Sequence, residues 1–182
     1  ACGNNANERR DLAIYVVPEP DPREQLQARA VKRLAFAFPD QRAFPPKEKN
    51  FDCEAIFWAN GSLYALTKHR ADTFTKLYRF DTAYSDRQNR LSLLGTRDVK
   101  GSVTAADASP DGAQLAVLTY GDIWIFEKPA EGDNYLANPQ RRLSIRAKQC
   151  EAICWIDPET LLVTNEEQDL FQVKLSQIPP FQ

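Results

Sequence analysis

The chain has 182 residues, of which 43% are hydrophobic and 26% charged, enough apolar content for a buried core and too much for a disordered tail. A formal net charge of -2 with no dense Lys/Arg run argues against nucleic acid as a partner, because phosphate binding needs a concentrated basic face. The apolar runs are far shorter than the ~20 residues that cross a bilayer, so no membrane span is expected.

In chain order, Gly3-Asn4-Asn5 through Arg9-Arg10-Asp11 reads as a polar loop entering a strand, a turn held by Asn side chains. Leu12 to Val17 and Val31 to Phe38 are two strand-like runs. "DCEAIFWANGSLYALTK" then opens at Asp52, and "QCEAICWIDPETLLVTNEE" at Gln149 repeats its Cys-Glu-Ala-Ile. A third, weaker copy lies between them. With Ala55, Ala106 and Ala152 as anchors, the copies stand 51 and 46 residues apart. Each anchor is followed by a turn-rich spacer ("WANGS", "SPDGAQ", "WIDPET"), an apolar run (Leu63 to Thr67, Leu115 to Thr119, Leu161 to Thr164), a polar loop and a further strand (Leu77 to Phe80, Ile123 to Phe126, Leu170 to Val173). The first two copies add a fourth strand, around Arg90 to Asp98 and Arg141 to Ile145.

Four antiparallel strands per ~45 to 50 residues, without helical periodicity, predict an all-β fold, a β-propeller of four-stranded blades. A sandwich or barrel would also give short strands; the repeat at blade period decides the choice. The expected organisation is one propeller region over 1–182, with a partial blade at 1–45, blades at 50–98 and 102–146, and a partial blade at 149–176. Closed propellers need four to eight blades. The missing ones are therefore expected from the rest of a longer polypeptide or from another chain.

In a propeller the start of the innermost strand and the loop between the second and third strands lie on one face of the disc. Glu54 and Glu151 fall at strand starts; Lys68, His69, Arg70, Tyr120, Asp122, Asn165, Glu166 and Glu167 fall in the loops. The middle copy carries Ala105 where its neighbours carry Glu, with Asp107 as a substitute acid. Carboxylates gathered at a channel mouth suit Ca²⁺ or Mg²⁺, a cationic ligand, or acid-base work. Glu54, Asp107 and Glu151 are thus the candidate metal ligands, Glu54 and Glu151 the candidate catalytic acids, and Lys68, His69, Arg70, Tyr120, Asn165 and Glu166 the candidate ligand contacts. Ordinary strand-start and loop charges, paired with neighbours, explain the same residues equally simply.

His69 is the only histidine, and no G-x-S-x-G, G-x-G-x-x-G or P-loop motif occurs, which removes support for nucleophile elbows and nucleotide binding. The four cysteines form no C-x-x-C pair. They read as buried small hydrophobes or as one disulfide, and Cys150 and Cys154, four apart, are expected on one face of a strand. Trp58, Trp124, Trp155 and Tyr78 are expected to pack between blades.

"CGNNANERRDLAIYVVPEP", "DCEAIFWANGSLYALTK", "VTAADASPDGAQLAVLTYGDIWIFEKP" and "CEAICWIDPETLLVTNE" together resemble a family of uncharacterised bacterial β-propeller proteins, predicted to be exported and distantly similar to phytase-like esterase and NHL-type propellers. The likeness runs from about Gly3 to Glu167, and "TAADxSPDG" before an apolar strand is its most specific piece. It implies a longer protein with blades ahead of residue 1, acidic strand starts at Glu54 and Glu151, and a periplasmic or secreted location. Such proteins carry Asp before the Gly-Asn-Asn turn; here Ala1-Cys2 stand there, which also suits a lipoprotein cleavage scar. The expected function is a module that binds a small molecule or protein through an acidic, Ca²⁺-accepting mouth. The alternative is a metal-dependent hydrolase of phosphoesters, esters or lactones using the same carboxylates.

Overall fold

The computed structural model describes residues 2–182; Ala1, half of the Ala1-Cys2 pair, lies outside them. The fold is all-β, with incomplete propeller blades. Strands β1 (Ala13–Val16) and β2 (Lys32–Ala35) form a two-stranded sheet. Strands β3 (Asp52–Ala59), β4 (Ser62–Lys68), β5 (Phe74–Phe80) and β6 (Leu91–Asp98) form a four-stranded antiparallel meander. A second four-stranded meander contains β7 (Val103–Ala108), β8 (Gln114–Thr119), β9 (Asp122–Glu127) and β10 (Pro139–Ser144). The last sheet has three strands, β11 (Cys150–Asp157), β12 (Thr160–Asn165) and β13 (Leu170–Lys174). First strands stand side by side, β3 against β7 and β7 against β11, so successive sheets stack face to face as blades do.

Alternation assigns each strand face to one neighbour. On β8, Leu115 and Val117 enter a core shared with the β3–β6 sheet, while Ala116 and Leu118 enter one shared with the β11–β13 sheet. A strand covered on both faces reads as an unbroken apolar run, which is what "LAVL" is. A third core joins β1 and β2 to the back of β3–β6 through Leu34, Phe36, Ala65, Tyr78 and Phe80.

The first strand of every complete or partial repeat contains a bulge at the same place. Register jumps from Cys53 to Ala55, from Val103 to Ala105 and from Cys150 to Ala152, leaving Glu54, Thr104 and Glu151 as the extra residues. Ladder partners therefore equate Ala105, not Ala106, with Ala55 and Ala152. The middle counterpart of the two glutamates is Thr104, not Ala105. A shift of one residue also moves Asp107 from the predicted mouth to the interface with β11.

The bulge corrects the cysteine expectation as well. Regular alternation would place Cys150 and Cys154 on one face, but the extra residue between them reverses it, so Cys150 is buried and Cys154 exposed. Trp124, Trp155 and Tyr78 are buried as expected, whereas Trp58 is 65% exposed. It shares with Ile56 the β3 face toward the first sheet, and that sheet has only two strands with which to cover it.

Hairpin tips lock neighbouring sheets. Asn60 and Gly61 turn from β3 to β4 with positive φ at both, the geometry that suits a right-twisted two-residue hairpin. Asn60 Nδ2 and Tyr135 Oη both donate to the Gly112 carbonyl, at 3.2 and 2.7 Å, in the "SPDG" turn of the next sheet. Gly112 has φ 68°, and a Cβ there would lie 2.7 Å from the Asn60 amide. Gly112→Ala should therefore destabilise the protein by roughly 2–3 kcal/mol, and Gly61→Ala, whose Cβ meets open space, by about 1–2 kcal/mol. Urea denaturation of the two variants checks the order.

Candidate functional site

The bulge at Glu54 aims its carboxylate into a charged cluster on the rim, where β3 begins and β4 ends. Asp52, fully buried, pairs across the ladder with Lys68. Arg70 Nη2 donates to Asp52 Oδ2 at 2.6 Å and to Asn5 Oδ1 at 2.8 Å, and lies 3.9 Å from Glu54 Oε1. Lys68 Nζ donates to the Tyr120 hydroxyl of the next sheet at 2.8 Å and lies 3.9 Å from Glu54 Oε2. Two carboxylates, two cations and a phenol from two blades thus meet in one network.

Residues 3–9 strap this rim from outside. The Asn4 amide donates to Asp52 Oδ1 at 2.5 Å, the Phe51 amide to Asn7 Oδ1 at 2.6 Å, and Asn7 Nδ2 to the Asn4 carbonyl at 2.8 Å. Asn7 sits at φ 58°, a left-handed position that Asn tolerates better than most residues. The loop is thus the Asn-held turn that its composition suggests.

Glu54 titrates far from the ordinary carboxylate range, pushed up to about 7. Burial is the main cause; a hydrogen bond to Asp52 and its negative charge reinforce it, and Lys68 and Arg70 oppose it. At neutral pH the rim is therefore poised: below about 7 Glu54 holds a proton and donates to Asp52, and above it the cluster gains a second carboxylate.

The other predicted site residues are dispersed. His69 turns away from Lys68 and Arg70: its Nδ1 meets Asp72 Oδ1 at 2.7 Å, its Nε2 is buried without a partner, and it lines a cleft of about 490 Å³ with Phe51, Asp72, Phe74 and Lys76. Burial, the larger effect, pulls its pKa down against the Asp72 contact. Asp107 Oδ2 accepts from the Trp155 amide at 2.9 Å, holding β7 to β11, and burial raises its pKa. Asp122 takes a two-point contact from Arg142 and a hydrogen bond from Ser144, all within its own sheet. Asn165 organises its own loop, accepting from the Glu167 and Asp169 amides, while the Glu166 amide donates to the Gln149 carbonyl and Lys148 lies 3.6 Å from Glu167. Glu151 holds the equivalent bulge of the last sheet, and Thr104, in the middle one, donates to the Cys150 carbonyl at 2.8 Å.

Among the described residues, no group of three or more His, Cys, Asp or Glu is gathered so as to hold a metal ion. Of the expected ligand set Glu54, Asp107 and Glu151, Asp107 lies between blades and Glu54 faces Lys68 and Arg70. Asp52 and Asn5, central to the rim, escaped the sequence reading. One signal was available, since the repeated phrase is Asp52-Cys53-Glu54 in one copy and Gln149-Cys150-Glu151 in the other.

No protein-family model and no curated protein matches the chain. Solved structures do resemble it, among them Sqt1 from Chaetomium thermophilum, 14% identical over 88% of this chain and 36% of that one, with a TM-score of 0.49. Sqt1 bound to the N-terminus of the ribosomal protein L10 matches at 13% identity over 81% and 36%, also at 0.49. Hsv2 of Kluyveromyces lactis matches at 14% over 83% and 51%, with 0.44. The chain spans about a third of the length of the Sqt1 chains. At these identities and scores the likeness supplies no partner, activity or site residue.

A raised carboxyl pKa favours the protonated folded state, so Glu54 contributes stability in full below its unfolded value, and that contribution is lost as pH rises through about 7. Wild type should lose roughly 2 kcal/mol between about pH 5 and about pH 8 that Glu54→Gln does not lose. Urea denaturation of both proteins at the two pH values checks the difference.

Proposed function

We propose that the chain is a recognition module whose rim cluster binds an acidic segment of a protein partner. The observation that carries this reading is the Asp52, Glu54, Lys68, Arg70 and Tyr120 network, with cations from one blade reaching the phenol of the next. With Glu54 ionised the two carboxylates balance the two cations. With Glu54 protonated one positive charge is left over, on a rim where Glu54 and Arg70 are partly accessible. An anionic partner is therefore favoured as pH falls through about 7. Supporting the binding reading over the hydrolase, Glu54 faces Lys68 and Arg70, Asp52 is held by Arg70 and the Asn4 amide, and the sole histidine is engaged with Asp72 elsewhere. A Ca²⁺ ion would need the three acids that lie in separate surroundings.

The experiment is fluorescence anisotropy with a labelled Asp/Glu-rich peptide and a Lys-rich control. Binding of the acidic peptide should tighten roughly tenfold from about pH 8 to about pH 6, the size of one unit charge gained at close range, and Glu54→Gln should bind at the low-pH strength throughout. Added Ca²⁺ should leave the melting temperature unchanged. Flat pH dependence in the wild type, or Ca²⁺-dependent turnover of ester or phosphoester substrates, would contradict the reading.

A further inference from the structure

The strap and β3 bring together two cysteines 51 residues apart in sequence. Cys2 Sγ donates to the Cys53 carbonyl at 3.5 Å. Cys2 packs on the apolar cluster that contains Cys53. The backbone on either side is pinned within two residues of each sulfur, by Asn4 to Asp52 at 2.5 Å and by Asn4 Nδ2 to the Phe51 carbonyl at 3.4 Å. A disulfide demands close Cβ atoms and little backbone movement, and a sulfur held 3.5 Å from the other cysteine's carbonyl, on a backbone pinned at both, has little distance left to travel.

We propose that Cys2 and Cys53 are a redox-active dithiol that closes reversibly into a disulfide and staples the 3–9 strap to β3 beside the rim. The two sulfurs have different surroundings. Cys2 is partly accessible, and the neighbouring Cys53 side chain pulls its thiol below the ordinary value, against burial. Cys53 is buried; the neighbouring Cys2 side chain, burial and the nearby carboxylates push its thiol well up. Cys2 is thus the attacking sulfur and Cys53 the resolving one.

With a low-molecular-weight disulfide such as oxidised glutathione as oxidant, the Cys2 thiolate attacks one glutathione sulfur, breaking its S–S bond and releasing one glutathione thiolate, which takes up a proton. The Cys53 thiol gives its proton to solvent and attacks Cys2 of the mixed disulfide, releasing the second glutathione. Two protein thiols are oxidised and one glutathione disulfide is reduced to two thiols. The product closes a 51-residue span and restrains Asn5, whose side chain accepts from Arg70.

The test equilibrates the chain with oxidised glutathione, then denatures it, alkylates it and analyses it by mass spectrometry. The expected product has lost the mass of two hydrogens, keeps Cys150 and Cys154 alkylatable, yields a cross-linked Cys2-Cys53 peptide, and melts several degrees above the reduced form. Cys53→Ser should stop at the glutathione adduct on Cys2. Cys2→Ser, at a partly exposed position that leaves the core intact, should show neither the mass loss nor the melting shift. Four alkylatable thiols in the wild type, a wild type that itself stops at the Cys2 adduct, or a cross-link to Cys154 would overturn the proposal.

Discussion

One extra residue near the start of each first strand governs what each blade presents to its neighbours and to the rim. A regular strand would send residues two apart to the same side. The bulge instead divides Cys53 from Ala55, placing the first in the core toward β1 and β2 and the second in the core toward β7. The residue left over belongs to neither ladder register, and it is free to project where the sheets meet. In β3 it is Glu54, in β7 Thr104 and in β11 Glu151. Stacking of sheets and chemistry of the rim thus follow from one backbone device, of the kind that re-aims side chains at functional edges.

Asp52 is the electrostatic counterpart of that device. A fully buried carboxylate is costly unless charge and hydrogen bonds surround it, and here it has Arg70 and the Asn4 amide. The same negative charge helps to hold a proton on Glu54. Strap, arginine and glutamate are therefore coupled: disturbing any one changes the surroundings of the others. Through Glu54 the network makes the charge of the rim respond to pH near neutrality.

Much of the fold was legible in the sequence because burial on two faces writes unbroken apolar runs. "SLYALT" and "QLAVLT" stand out between turns rich in Gly, Asn, Asp and Pro, and the repeated Cys-Glu-Ala-Ile fixes the period. The finer register was not legible. A bulge leaves no residue signature of its own, so Ala106 stood in for Ala105, Asp107 was carried to the mouth, and Cys150 and Cys154 were put on one face. Trp58 looked like interior because its residue type and alternation match those of buried positions; its exposure depends on a sheet of only two strands opposite it. At the rim, Glu54, Lys68, Arg70 and Tyr120 were found from repeat geometry. His69 was misplaced because its neighbours in sequence point the other way, and Asn5 was hidden because 65 residues separate it from Arg70.

The coupling of Glu54 to Asp52 is the claim on which the rim chemistry stands, and a carbon-13 NMR titration of the Glu54 side-chain carboxyl reads it without reference to any ligand. The account predicts a midpoint at about 7 in the wild type, moving down toward the usual glutamate range in Asp52→Asn. A wild-type midpoint already in that usual range, unchanged by the substitution, would contradict it.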